Sequence, residues 1–400
     1  MPNKKVMPIL VLCGVPLIMV LGNSMLIPIL PQMKQALFLS QFQVSLVITL
    51  FSIPAGLVIP FYGFLSDRMK RKPIIIVSLL VYASGGVLAG LAAVGGQKLA
   101  YLLIMVGRII QGIGAAGTAP LAMALVGDLY QGKARSKVLG FLEAANGLGK
   151  VISPILGSLI GLLAWWAVFF LFPVLCIPIA LGLGLGIREP ALKKEAPSVA
   201  QYGQALKKIF QQKGVSLLAA FLAGATVLFV LFGLLFYLSD HLEVKYKLEG
   251  VVKGLIIAIP VLAMALTSSF VGIFAAQRTS FYKILIVGGL SLVVLATALT
   301  AFFYQNTYLF IGLLVIAGVG TGMALTSLNT IITSSCSREE RGMITSLYGS
   351  VRFFGVAAGP PFFGFLMERS VFWTFMLPAF WTGVIGVINL FFLCKNIAQK

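Results

Sequence analysis

Charge is scarce in this sequence. Asp, Glu, Lys and Arg make up 10% of its 400 residues, against roughly 25% in globular domains, too little to coat a water-facing protein of that length. A single histidine, His241, and 11 acidic residues do not supply the cluster of His, Asp, Glu or Cys that a polytopic membrane enzyme needs near an interface, so no enzyme and no metal site is expected. Four cysteines, Cys13, Cys176, Cys336 and Cys394, are scattered through apolar stretches or short loops without paired spacing, which suggests neither a disulfide framework nor a metal site. Disorder is excluded by the opposite excess, because 59% of the residues are hydrophobic and such a chain buries more than a disordered one can.

What the chain does have is long apolar runs. Bounded by charges or turn clusters, they predict twelve membrane helices at 7–30, 43–65, 73–95, 99–127, 137–162, 164–187, 215–239, 251–276, 282–303, 308–334, 342–367 and 371–394, each long enough for a crossing of about 20 residues. No small-residue cleavage site follows the first run, so it is expected to stay as a membrane helix. The expected fold is an all-α polytopic membrane protein, and an even number of spans puts both termini on one side. The loops of that side hold 21 Lys and Arg and the opposite loops six, which makes the richer side cytoplasmic. The net charge of +19 is then topology, and nucleic acid is not an expected partner.

The one long polar connection, 188–214, is expected to be a cytoplasmic linker dividing a six-helix bundle at 1–187 from another at 215–400. A shift of 206 residues aligns Gly112 with Gly318, Gly114 with Gly320, Arg135 with Arg341, Gly149 with Gly355 and Pro154 with Pro360. Identity at that offset is low, yet every match falls at the same depth of the corresponding helix or loop. Two parallel repeats with a substrate site near the membrane midplane are a known transporter architecture.

Several stretches carry chemistry. The loop after the second span reads Gly63-Phe64-Leu65-Ser66-Asp67-Arg68-Met69-Lys70-Arg71-Lys72. Gly63 lets helices approach closely, and Asp67 with Arg68 and Arg71 can form a cluster that breaks and reforms as the halves rock. The fourth span holds Arg108, Gln111, Gly112, Gly114, Ala115 and Ala116 and ends near Asp128; the fifth has Gly140, Gly149, Ser153, Pro154 and Gly157; the eleventh has Gly355, Gly359, Pro360, Pro361 and Gly364. These segments resemble the major facilitator superfamily. The loop is similar to its motif Gly-x-Leu-Ala-Asp-Arg-x-Gly-Arg-Lys, with Ser66 for the alanine and Lys70 for the second glycine. The fifth span is similar to the antiporter motif Gly-x8-Gly-x3-Gly-Pro-x2-Gly of its drug efflux members, with Ser153 where glycine is usual. Gly22-Asn23-Ser24 and Pro28-Ile29-Leu30-Pro31 resemble the first-helix motif of its twelve-helix drug:proton antiporters. The resemblance implies a proton-driven exporter in a bacterial cytoplasmic membrane, working by alternating access, powered by the proton motive force without a cofactor, with Asp128 paired to the loop cluster.

Charges inside spans narrow the function. An ionised side chain at a helix centre costs about 2.5–3.5 kcal/mol on insertion scales, so Arg108, Lys150 and Arg352 each require a partner or a wet cavity. Glu143, the one acid expected within a span, lies seven residues from Lys150, within about 20° of the same helical face. It is expected to be the proton-coupling carboxylate, with Arg108; an ion pair to Lys150 or Arg108 that only holds helices together is the other reading. The interior thus carries a net +2 together with Asn23, Gln111, Asn146 and Asn329, and suits a neutral or anionic amphiphile better than a cation. The expected function is export of a drug-like or amphiphilic molecule in exchange for protons by a monomer in the bilayer. The alternatives are export of an endogenous anionic metabolite such as a siderophore, or transport of a sugar or organic acid.

Overall fold

A computed structural model describes residues 3–66, 68–95, 99–189, 199–274, 281–334 and 341–393. All regular structure among them is helical: α1 (Asn3–Ser24), a 3-10 turn (Ile27–Ile29), α2 (Leu30–Ala36), α3 (Gln41–Ser66), α4 (Arg71–Val94), α5 (Ala100–Ala116), α6 (Ala119–Leu129), α7 (Gly132–Gly161), α8 (Ala167–Gly186), α9 (Val199–Tyr246), α10 (Gly250–Phe274), α11 (Phe281–Phe303), α12 (Thr307–Ser334), α13 (Arg341–Met367) and α14 (Val371–Phe392).

Two expected spans are broken. The first, expected over 7–30, divides into α1 and the 3-10 turn, and α2 continues beyond its expected end, with Pro28 and Pro31 in the opening turns of the new segments, where a missing N–H costs no hydrogen bond. The fourth divides at Gly117 and Thr118 into α5 and α6, and α6 has Pro120 in its first turn. Among the described residues, eleven stretches are long and apolar enough to cross a membrane. The fifth expected span is not among them, because α7 is the least apolar of the long helices and carries Glu143 and Lys150 along its length. Helix starts at Val199, so the C-terminal part of the expected linker is the first part of the 48-residue α9.

The chain forms two compact units. Unit 1 comprises Met1–Glu195 and Ser239–Ala258; unit 2 comprises Ala196–Leu238 and Ile259–Lys400. The internal repeat is visible in how each packs. In unit 1, a Cβ on Gly112 would strike the carbonyl oxygen of Phe51 on α3, and one on Gly114 would lie 2.5 Å from the backbone nitrogen of Tyr82 on α4. In unit 2, a Cβ on Gly318 would strike the carbonyl oxygen of Pro260 on α10, and one on Gly320 would lie 2.5 Å from that of Gly289 on α11. The aligned glycines therefore do the same thing: they let α5 and α12 approach their neighbours backbone to backbone, the close contact that small residues permit in membranes.

Candidate functional site

Arg108 is the largest fully buried side chain, at 0% exposure. Its Nε donates to the Val47 carbonyl at 2.9 Å, Nη1 to Gln111 Oε1 at 2.7 Å and Nη2 to Asn23 Oδ1 at 2.8 Å, and its Cζ lies 4.4 Å from the centre of the Phe51 ring. Asn23 is in turn fixed by Nδ2 donating to Ser52 Oγ at 2.7 Å. The partner that burial demanded is thus a set of neutral dipoles and one aromatic face, with no carboxylate among the described residues taking part. Tyr82 closes the chamber, edge-on to Phe51 at 6.0 Å and to Phe172 at 5.3 Å. Gln111 Nε2 has no hydrogen-bond partner among the described residues.

The expected coupling face of α7 is open. Glu143 is exposed rather than buried, and makes no hydrogen bond or ion pair among the described residues, so the pairing with Lys150 or Arg108 is not formed. The physical reason is the helix face: Val138 and Leu142 are buried on one side of α7, whereas Glu143 lies on the opposite side, where a Cβ on Gly140 or Gly147 would meet nothing within 4 Å. Asn146 and Lys150 are half-buried, and Asn146 Oδ1 has no partner among the described residues. Of the glycines in the motif, Gly149 would tolerate a Cβ at 3.6 Å from Leu17, whereas one on Gly157 would collide with the Met25 carbonyl. Ser153 and Pro154 are buried. The tight part of the motif is therefore its C-terminal end, against α1.

Of the loop cluster, Asp67 lies outside the described residues. Gly63 accepts a 2.8 Å bond from Ser66 Oγ. Arg68 stacks on Phe64 at 3.5 Å, and Arg71 forms an ion pair with Asp128. Sequence reasoning missed the anchor of this region, Glu189. Its carboxylate accepts the backbone N–H of Arg71 at 2.7 Å and that of Lys72 at 3.0 Å, filling the free donors at the start of α4, where negative charge is favoured. Lys72 does the reverse for α8, donating to the carbonyls of Gly184 and Ile187 at 2.7 Å.

A second cluster in unit 1 was also missed. Lys253, counted above among the loop cations, is 1% exposed. Its Nζ donates to Glu243 Oε2 and to the Pro28 carbonyl, both at 2.6 Å. Gln35 donates to Glu243 Oε1 at 3.2 Å, Gln41 to Asp240 at 2.5 Å, and Ser239 to the Ile27 carbonyl at 2.8 Å. These bonds hold the hairpin 239–258 on the 3-10 turn, α2 and the start of α3. Glu243 is the one buried carboxylate among the described residues. The available signal was Lys253 itself, a cation inside the eighth apolar run.

In unit 2, Asn329 is exposed on α12. Arg352, half-buried on α13, stands 5.4 Å from the centre of the Tyr348 ring and leaves Nε without a partner among the described residues. No group of three or more metal-binding side chains occurs among the described residues.

The Major Facilitator Superfamily sequence profile matches residues 12–299 and 245–398. The bacillibactin exporter of Bacillus subtilis (strain 168) is 40% identical over 395 residues, covering 98% of this chain and 96% of that protein. A multidrug efflux protein of the same organism, YfmO, is 30% identical over 355 residues, 87% of this chain and 83% of that one. The D-xylose–proton symporter crystal structure superimposes with a TM-score of 0.75 at 15% identity, covering 100% of both chains, a likeness of fold.

Proposed function

This chain belongs to the major facilitator superfamily and is a multi-pass secondary transporter, not an enzyme, related to bacterial drug and siderophore efflux proteins; on that premise we propose that it exports an anionic metabolite of the siderophore kind across the bacterial cytoplasmic membrane in exchange for protons, by alternating access. The observation that carries this reading is the unbalanced positive charge of the membrane interior: Arg108 and Arg352 sit within spans and neither is paired with a carboxylate among the described residues. A cation held this way in a medium of low dielectric attracts an anion and repels a cationic drug. The 40% identity to a siderophore exporter over nearly the whole chain supports the anionic metabolite over the drug-like molecule that the motifs suggest, whose multidrug relative YfmO matches at 30%.

In this reading α7 is a twelfth span and both termini are cytoplasmic. The bundles at 1–187 and 215–400 alternate access to the substrate path. Asn23, Gln111, Asn146, Lys150, Asn329 and Arg352 serve the substrate path, Glu143 with Arg108 couples it to protons, and the loop from Gly63 to Arg71 with Asp128 switches conformation. Purified protein in proteoliposomes tests it. An imposed proton gradient should drive accumulation of a siderophore but not of a cationic dye such as ethidium; dye transport without siderophore transport overturns the reading.

A further inference from the structure

Arg352 stands eleven residues into α13, about 17 Å along the axis and so near the middle of the roughly 30 Å hydrocarbon layer. A guanidinium at that depth does not face lipid; it faces protein or a polar path. Its neighbours explain how it is held. Tyr348, one turn earlier, lies within about 40° of the same helical face, and Gly355 and Gly359 continue that stripe, each so close to α9 that a Cβ would strike the Ala225 or Phe229 carbonyl.

That stripe faces α9, and Arg352 on it is half-buried, with its Nε out of water. Tyr348 is 3% exposed. Its ring is clamped between Phe221, with centroids 5.6 Å apart and planes tilted by 34°, and Gly224, where a Cβ would lie 2.5 Å from the phenol oxygen. The Arg352 guanidinium carbon rests 5.4 Å from the centre of that fixed ring. An arginine is flexible in isolation, but one laid on an immobilised aromatic face has its planar fork oriented in advance.

We propose that Arg352 is the anchor for the negatively charged oxygen of the exported molecule, a carboxylate or an ionised phenolic oxygen, and that Tyr348 is the positioning residue that presents it. This rests on the reading that the substrate is an anion, and adds to it where in unit 2 the charge is taken up. The guanidinium fork matches two acceptor oxygens with parallel N–H bonds. Arg352 makes no ion pair among the described residues, so an arriving oxyanion meets no competing carboxylate. Tyr348 acts through its ring. Its hydroxyl is packed beside Gly224, has no hydrogen-bond partner among the described residues, and is too enclosed to be the group that meets a ligand first.

The test is calorimetric titration of the intact purified protein in nanodiscs with salicylate and with salicylamide, its uncharged counterpart. Wild type should prefer salicylate at least tenfold. Arg352→Gln should abolish the preference, and Arg352→Lys, which keeps the charge without the fork, should reduce it several-fold. Tyr348→Phe should leave it intact, and Tyr348→Leu should lose it at an unchanged melting temperature; if Tyr348→Leu melts early, Phe221→Leu, which frees the ring without removing it, takes its place. A wild type with no preference overturns the anionic-substrate reading itself. A wild-type preference that survives in Arg352→Gln overturns this inference alone, and loss in Tyr348→Phe overturns the positioning role.

Discussion

Nζ of Lys253 donates to Oε2 of Glu243 at 2.6 Å with both side chains out of water. Removing one member of such a pair strands the other as an uncompensated buried charge, at a cost of about 3–5 kcal/mol, whereas replacing both by apolar groups of similar volume is often neutral. Lys253→Met is therefore expected to lower the melting temperature strongly, and Lys253→Met with Glu243→Met to recover most of it. Thermal unfolding of the purified variants measures this; a double variant no more stable than the single one contradicts the pairing.

Arg108 has three neutral acceptors that depend on it. Arg108→Met leaves the side-chain oxygens of Asn23 and Gln111 buried without a donor, each costing about 1–3 kcal/mol. Arg108→Lys keeps the charge but cannot reach three divergent acceptors as a planar fork does. Both variants should melt earlier than wild type, the Met variant more so, and chemical denaturation gives the order. Equal stability of all three would mean that the chamber is wet.

Within the α7 motif the glycines should respond unequally. Gly157→Ala drives a methyl into the Met25 carbonyl and should cost about 1–3 kcal/mol, as overpacking does. Gly140→Ala meets open space and should leave stability unchanged. If Gly140→Ala nevertheless abolishes transport in vesicles while Gly157→Ala does not, the motif acts through contacts other than those described.

Glu143→Gln changes an exposed side chain without a bond to lose, so stability should stay within about 0.5 kcal/mol. Proton-driven export should nevertheless disappear while substrate binding persists, as measured by substrate-dependent proton flux and by calorimetry on the same preparation. Full export by this variant removes Glu143 from the coupling step.

Much of the helical architecture was legible in the chain because a bilayer demands runs of about 20 apolar residues, and such runs need no tertiary knowledge to find. Even so, two of them are broken, the first at the 3-10 turn that carries Pro28 and the fourth just before Pro120, and α7 falls short of the other runs because Glu143 and Lys150 dilute it. The glycines at 112, 114, 318 and 320 could be paired by their common offset, since close backbone approach leaves the same residue type in both repeats. The site was less legible. Arg108 announced itself as a costly charge, but nothing local pointed to Asn23, 85 residues away, as its acceptor. Glu143 looked buried by position in a span, and is exposed because it lies on the face of α7 opposite the buried Val138 and Leu142.

By itself, then, the sequence determined that this protein lives in a membrane as repeated helices and that a few ionic groups had to be accommodated there, because hydrophobicity and the cost of burying charge are properties of single residues and short runs. The tertiary structure alone decided which partner accommodates each group: dipoles for Arg108, Glu243 for Lys253, an aromatic ring for Arg352. Pairing depends on the rotation and depth of helices far apart in the chain, such as Gln35 and Glu243, separated by 208 residues, and no local pattern carries that information.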